Sequence, residues 1–219
     1  MNKLPIVILI SGRGSNMQAI LDRAARGELA VDVRAVISNK ATASGLDSAR
    51  AAGVHTEVLD HRDFSGREQY DSALQKLIDR YQPALVVLAG FMRILTPAFV
   101  RHYQGRLMNI HPSLLPAFRG LNTHQRALEA GATEHGASVH FVTEELDGGP
   151  VIVQSRVPVR PDDTADSLAT RVLQAEHALY PTAIGWFAAG RLRFHAGAAY
   201  LDNQALTQPV QLDCSVTKT

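Results

Sequence analysis

The stretch LPIVILISGRGSN, residues 4–16, decides how the rest of the chain reads. Its apolar run does not alternate, which marks a strand covered on both faces rather than one half-exposed to water. Ser11 to Gly14 then stop the run, and NMQAILDRAARG (16–27) begins an amphipathic helix. The opening faintly suggests a signal peptide, but the run is short and lacks a small-residue cleavage pattern, so it reads as a first strand.

Further apolar runs at 31–37, 54–59, 84–90 and 106–110 are rich in Val, Ile and Leu and are separated by amphipathic or Ala-rich segments. That rhythm predicts an α/β fold with a doubly wound, mostly parallel, Rossmann-like sheet. The style then changes. ASVHFVT (137–143) and GPVIVQSRVPV (149–159), joined by a Gly-rich turn, predict an antiparallel extension in the C-terminal half. A long helix is expected from Asp163 or Thr164 to Ala188, bent or divided at Pro181. RLRFHAGAAYLDNQAL (191–206) reads as a hairpin and the last dozen residues as a loose polar tail.

With 219 residues, 46% of them hydrophobic, the chain can bury a core as one large domain or one domain with a small addition. Its 22 basic and 21 acidic residues leave a net charge of +1 with no Lys/Arg block, which argues against a nucleic-acid surface and for a small partner. The only cysteine, Cys214, permits neither an internal disulfide nor a Cys-based zinc site, and fits a reducing compartment. No apolar run is long enough for a membrane helix.

Glycines at the start of a helix let backbone N–H groups approach an anion, so SGRGSN (11–16) is a candidate phosphate loop. An ordinary strand-to-helix turn needing positive φ would look the same. Met17 stands where a dinucleotide fingerprint needs its third glycine, and no Gly-Lys-Ser/Thr follows, so neither nucleotide motif applies. GFMRIL (90–95) and NIHPS (109–113) fall at the same carboxyl edge of the sheet, where open α/β sheets bind ligands.

Asn109 and His111 are two apart in an extended segment and face the same way. Each alone has an ordinary structural explanation. Together they can hold an oxygen that becomes negative and exchange a proton near neutral pH. Asp147, in EELDGGP (144–150), reads equally as a hairpin turn residue or as a carboxylate that favours the charged form of His111. Projected on a helix, Glu176 falls inside the apolar stripe Leu168, Val172, Leu179, Ala183 and Phe187, whereas His177 points away. Such an acid needs a partner, either a structural Arg or substrate hydroxyls. His135 and His140 lack helical metal-ligand spacing, so a metal site is disfavoured, and Arg67 is a solvated helix residue or an anion contact.

In combination, SGRGSN, LAGFMRIL, LMNIHPSLLP, GASVHFVTEELDGGPVI, RVLQAEHALYP and GWFAAGRL resemble the phosphoribosylglycinamide formyltransferases of purine synthesis, over nearly the whole chain. The resemblance implies a single formyltransferase domain over 1–206, its first half (to about 105) binding phosphate and its second half folate, with a tail over 207–219. It implies 10-formyltetrahydrofolate as co-substrate, no metal, glycinamide ribonucleotide as acceptor, and a cytoplasmic monomer or homodimer. Asn109, His111 and Asp147 fall at the reacting centre; Gly14, Ser15, Asn16 and Glu176 at the ribonucleotide; and Arg67, Met92, Arg93, Ile94, Leu95, Asn109 and the loop Thr143, Glu144, Glu145, Leu146, Asp147 at the folate. Leu173 and Ala117 depart from positions that are polar in relatives, and Gln174 neighbours the first of them.

The rival readings differ in class. A formyltransferase acting on initiator methionyl-tRNA needs a further domain and a basic surface. A 10-formyltetrahydrofolate hydrolase carries an additional N-terminal domain. A non-catalytic folate- or phosphate-binding module would not need a general acid/base together with its carboxylate. A nucleotide-dependent dehydrogenase lacks the third glycine.

Overall fold

The computed structural model describes residues 3–213. Strand β1 (Leu4–Ile10) is an interior strand of an eight-stranded sheet and shows why its apolar run is unbroken. Ile6, Ile8 and Ile10 enter one core, Val7 and Leu9 the other, and all five are fully buried. Each such side chain contributes on the order of 2 kcal/mol of burial free energy.

The first half alternates as the sequence predicts. After β1 come α1 (Ser15–Ala25), β2 (Val31–Ser38), α2 (Gly45–Ala51), β3 (Thr56–Val58), a short 3-10 turn (His61–Asp63), α3 (Arg67–Asp79), β4 (Leu85–Leu88), α4 (Pro97–His102) and β5 (Leu107–His111). Then follow α5 (Thr123–Glu129), β6 (Glu134–Phe141), β7 (Val151–Pro158) and α6 (Ala165–Ala188). The tail contains β8 (Leu192–His195), β9 (Ala198–Leu201), β10 (Gln204–Ala205) and β11 (Val210–Gln211).

Sheet order is β11-β7-β6-β5-β4-β1-β2-β3. Strands β1 to β5 pair in parallel, while β6 runs antiparallel to both β5 and β7. The winding reverses between β1 and β4, so the loops leaving their carboxyl ends diverge and open a crevice. Helices α1, α2 and α6 cover one face, α3 and α4 the other.

Three expectations need correction. Helix α6 is continuous through Pro181, which is buried within it. Thr182 Oγ1 donates to Ala178 O at 2.8 Å in the turn that the proline ring perturbs, and the apolar residues on both sides of it enter the same core. The helix begins on a reciprocal cap, in which Thr164 and Ser167 each accept the other's backbone N–H through a side-chain oxygen. The end of the chain is not wholly loose, because Val210 and Gln211 add a parallel edge strand beside Val153 and Gln154, and Leu212 N–H donates to Gln154 O. The remaining expected hairpin is a three-stranded antiparallel sheet, β10-β9-β8, with two-residue turns at Ala196–Gly197 and Asp202–Asn203, all four residues at positive φ. Cys214 and the rest of the expected tail lie outside the described residues.

Candidate active site

The loop after β1 is shaped by close packing. Gly14 precedes α1 at φ 68°, where a side chain would be strained, and a Cβ on Gly45 would lie 2.7 Å from Ile10 Cδ1. Helix α1 has no side-chain N-cap, and its first helical bond runs from Gln18 N–H to Gly14 O. The N–H groups of Ser15, Asn16 and Met17 therefore precede the helical ladder, as an anion site requires.

Asn16 reaches across to α6. Its Nδ2 donates to Glu176 Oε2 at 2.6 Å, and its Oδ1 is buried without a partner. Within the chain the buried acid thus meets the Asn16 carboxamide of the loop after β1, where a structural arginine was one of the two expectations. Burial pushes the Glu176 carboxyl up to about 7, opposed only in part by the Asn16 hydrogen bond. His177 is half-buried beside it, and burial together with the Arg13 charge lowers its pKa.

The second group of residues sits on the face of the sheet at β5 and β6. Antiparallel register sets Asn109 opposite His140 and His111 opposite Ser138, so the four polar side chains share one face. The segment 142–150 folds back over that face. Asp147, at φ 49°, brings Oδ2 to 3.5 Å from His111 Nδ1 and Oδ1 to 3.8 Å from His140 Nε2. Gly149 makes the return possible, since a Cβ there would lie 1.9 Å from Phe141 O. Gly120 N–H also donates to Asp147 Oδ2, at 2.9 Å, and His111 Nε2 lies 3.0 Å from Phe118 O. Arg119 pairs with Glu145, closing the loop after β5 onto the loop after β6.

An adjoining cleft is lined by Phe91, Arg93, Ile94 and Leu95 from the loop after β4, by Asn109 and His140, and by Thr143 to Asp147. Ile94 and Leu146 remain largely exposed. Arg67 and Met92 are exposed and do not line this cleft; Arg67 is the first residue of α3, close enough to Asp71 for its charge to act there. Asp71 in turn accepts Thr96 N–H at 2.6 Å and pins the end of the loop. Arg93 stacks its guanidinium over Tyr70 at 4.8 Å.

Sequence reasoning missed the groups that tie these loops together. Ser11 Oγ accepts Met92 N–H at 2.8 Å and donates to Asn39 Oδ1 at 2.6 Å, linking the loop after β1 to the loop after β4. The Tyr180 hydroxyl, one turn beyond Glu176, lies 2.9 Å from Met108 O and 3.1 Å from Leu88 O, at β5 and β4. His140 was weighed only as a metal ligand. Its sequence signal was an imidazole in an otherwise apolar strand, at a position whose partner only register reveals. Among the described residues, no group of three or more His, Cys, Asp or Glu is arranged to hold a metal ion.

Comparison with known proteins shows the family. The formyl transferase family model matches residues 4–184. The phosphoribosylglycinamide formyltransferase of Escherichia coli is 59% identical over 201 residues, covering 92% of this chain and 95% of the relative, and that of Haemophilus influenzae is 45% identical over the same coverage. The structure of the phosphoribosylglycinamide formyltransferase from Coxiella burnetii superposes with a TM-score of 0.92 at 53% identity, covering 96% of this chain and 99% of that one.

Proposed function

From the premise that the chain belongs to the formyl transferase family, we propose that Asn109, His111 and Asp147 carry the chemistry of formyl transfer between two bound substrates. The protein is an enzyme of purine biosynthesis that moves the formyl group of formyltetrahydrofolate to the amine of phosphoribosylglycinamide. The observation that carries the site reading is the meeting of Asp147 with His111, 36 positions earlier in the chain, on the face that also presents Asn109.

In this reading the ribonucleotide phosphate lies at the N–H groups of residues 14–16, and Glu176 receives ribose hydroxyls beside Asn16. The folate lies in the cleft of Phe91, Arg93 to Leu95 and Thr143 to Asp147, while Arg67 and Met92, which the family resemblance assigns to the folate, fall outside its lining. The 10-formyl group then faces Asn109. Its carbonyl oxygen gains negative charge as the neutral amine attacks, and Asn109 donates a hydrogen bond to it. Protonated His111, held between Asp147 and Phe118 O, supplies positive charge beside that oxygen. One proton leaves the amine and one reaches the departing folate nitrogen, carried through water next to Asp147. No covalent enzyme intermediate is formed. A cytoplasmic location belongs to the same proposal and rests on the single cysteine, which suits a reducing compartment.

The test is absorbance-monitored deformylation of 10-formyl-5,8-dideazafolate with and without glycinamide ribonucleotide. Turnover that requires the ribonucleotide and collapses in Asp147→Asn is the expected result. Deformylation indifferent to the ribonucleotide would identify hydrolysis instead.

A further inference from the structure

His140 is 1% exposed and stands directly across the β5–β6 pair from Asn109. Its Nδ1 is 2.9 Å from Phe141 O. A carbonyl oxygen only accepts, so Nδ1 carries the hydrogen, and Nε2 of the neutral ring presents a lone pair. Asn109 Nδ2 lies 3.2 Å from that lone pair. Turning the carboxamide over would set Oδ1 against Nε2, acceptor against acceptor, so the hydrogen bond selects one orientation of Asn109.

The surroundings keep the ring in this form. Burial holds its pKa down at about 4, with the His111 and Arg119 charges acting in the same direction and Asp147 opposing them. Asp147 Oδ1, at 3.8 Å, is too far to take a hydrogen bond from Nε2, and the closer carboxylate oxygen faces His111. Two imidazoles thus flank one carboxylate but are divided by role: His111 partners the acid, and His140 partners the amide.

We propose that His140 is a positioning residue for formyl transfer, orienting the Asn109 carboxamide so that its second Nδ2 hydrogen, and not Oδ1, faces the formyl oxygen. The proposal rests on the reading of Asn109 as the donor to that oxygen. Without His140 the amide populates the reversed orientation, which places an acceptor against the developing oxyanion.

The test is a double-mutant cycle on the full chain, reading kcat and both KM values in the dideazafolate assay. Asn109→Ala is expected to lower kcat by about 100- to 1,000-fold. His140→Leu is expected to lower it by about 10- to 100-fold with both KM values within about twofold, an effect of misplacement rather than of binding. In the Asn109→Ala background, His140→Leu should cost nothing further. With Asn109 intact, His140→Gln, whose Oε1 can accept from Asn109, should keep most of the parent's activity. The pH profile of kcat should be the same in His140→Gln as in the parent. Where His140→Leu lowers the melting temperature sharply, His140→Asn replaces it in the same cycle, since its shorter amide stays polar but does not reach Asn109. Equal losses in both backgrounds, or a missing limb in the pH profile, would overturn the role given to His140 alone. Normal turnover in Asn109→Ala would overturn the oxyanion reading and this proposal with it.

Discussion

Two carboxyl groups, Glu176 and Asp147, are both largely removed from water, yet their surroundings differ. Glu176 has one neutral partner, Asn16, and burial raises its pKa. Asp147 meets His111, faces His140 and accepts Gly120 N–H. Burial alone therefore does not define a buried acid. A carboxyl whose neighbour can donate but carries no charge keeps its proton near neutrality, as suits a group exchanging hydrogen bonds with substrate hydroxyls. One beside an imidazole is arranged to share charge, as suits the role proposed for Asp147.

The sharpest way to break this comparison is to neutralise each acid in turn. Asp147→Asn should lower kcat by about 1,000-fold or more with little change in either KM, because it removes the charge beside His111 while keeping the shape of the side chain in the cleft. Glu176→Gln should do the reverse, raising KM for the ribonucleotide by about 10-fold while kcat for saturated enzyme falls little. Steady-state kinetics on both variants checks the pair.

Stability sharpens the contrast further. Folded Glu176 keeps its proton up to about pH 7, whereas an unfolded glutamate releases it near 4.5. Between those values the folded chain holds more protons, so this group's contribution is full below pH 4.5 and is lost as pH rises through 7. The lost contribution is on the order of 3 kcal/mol. Urea denaturation should show Glu176→Gln gaining on the parent by that order between pH 4.5 and 8. A constant difference across the range would refute the raised pKa.

Two smaller effects test the frame between the acids. Ser11→Ala leaves Met92 N–H and Asn39 Oδ1 without the hydroxyl that joins them and should cost about 1 to 3 kcal/mol, with KM rising for the folate more than for the ribonucleotide. Arg101→Ala breaks an exposed pair with Glu144 at 2.7 Å and should shift stability by less than about 1 kcal/mol. Denaturation midpoints measured side by side separate the two.

Much of this was legible beforehand because it is local. Unbroken apolar runs reported β1, β4 and β5 as strands buried on both faces, and helical projection marked Glu176 as an inward acid. The Asn109–His111 spacing announced one shared face. The segment after α6 was legible only as a hairpin, and its third strand was not. Arg67 was less legible, because an arginine at the start of a helix looks the same whether it faces a cleft or water.

By itself the sequence determined the doubly wound core and the shared face of Asn109 and His111, since these follow from periodicity, while the grouping of Asp147 with them came from a family resemblance. Only the tertiary structure decided that Asn16 partners Glu176, that Ser11 joins two loops, that Pro181 leaves α6 unbroken and that His140 faces Asn109. Those outcomes depend on strand register, loop return and packing between segments up to 160 residues apart, and no local pattern encodes which distant partner will satisfy a buried polar group.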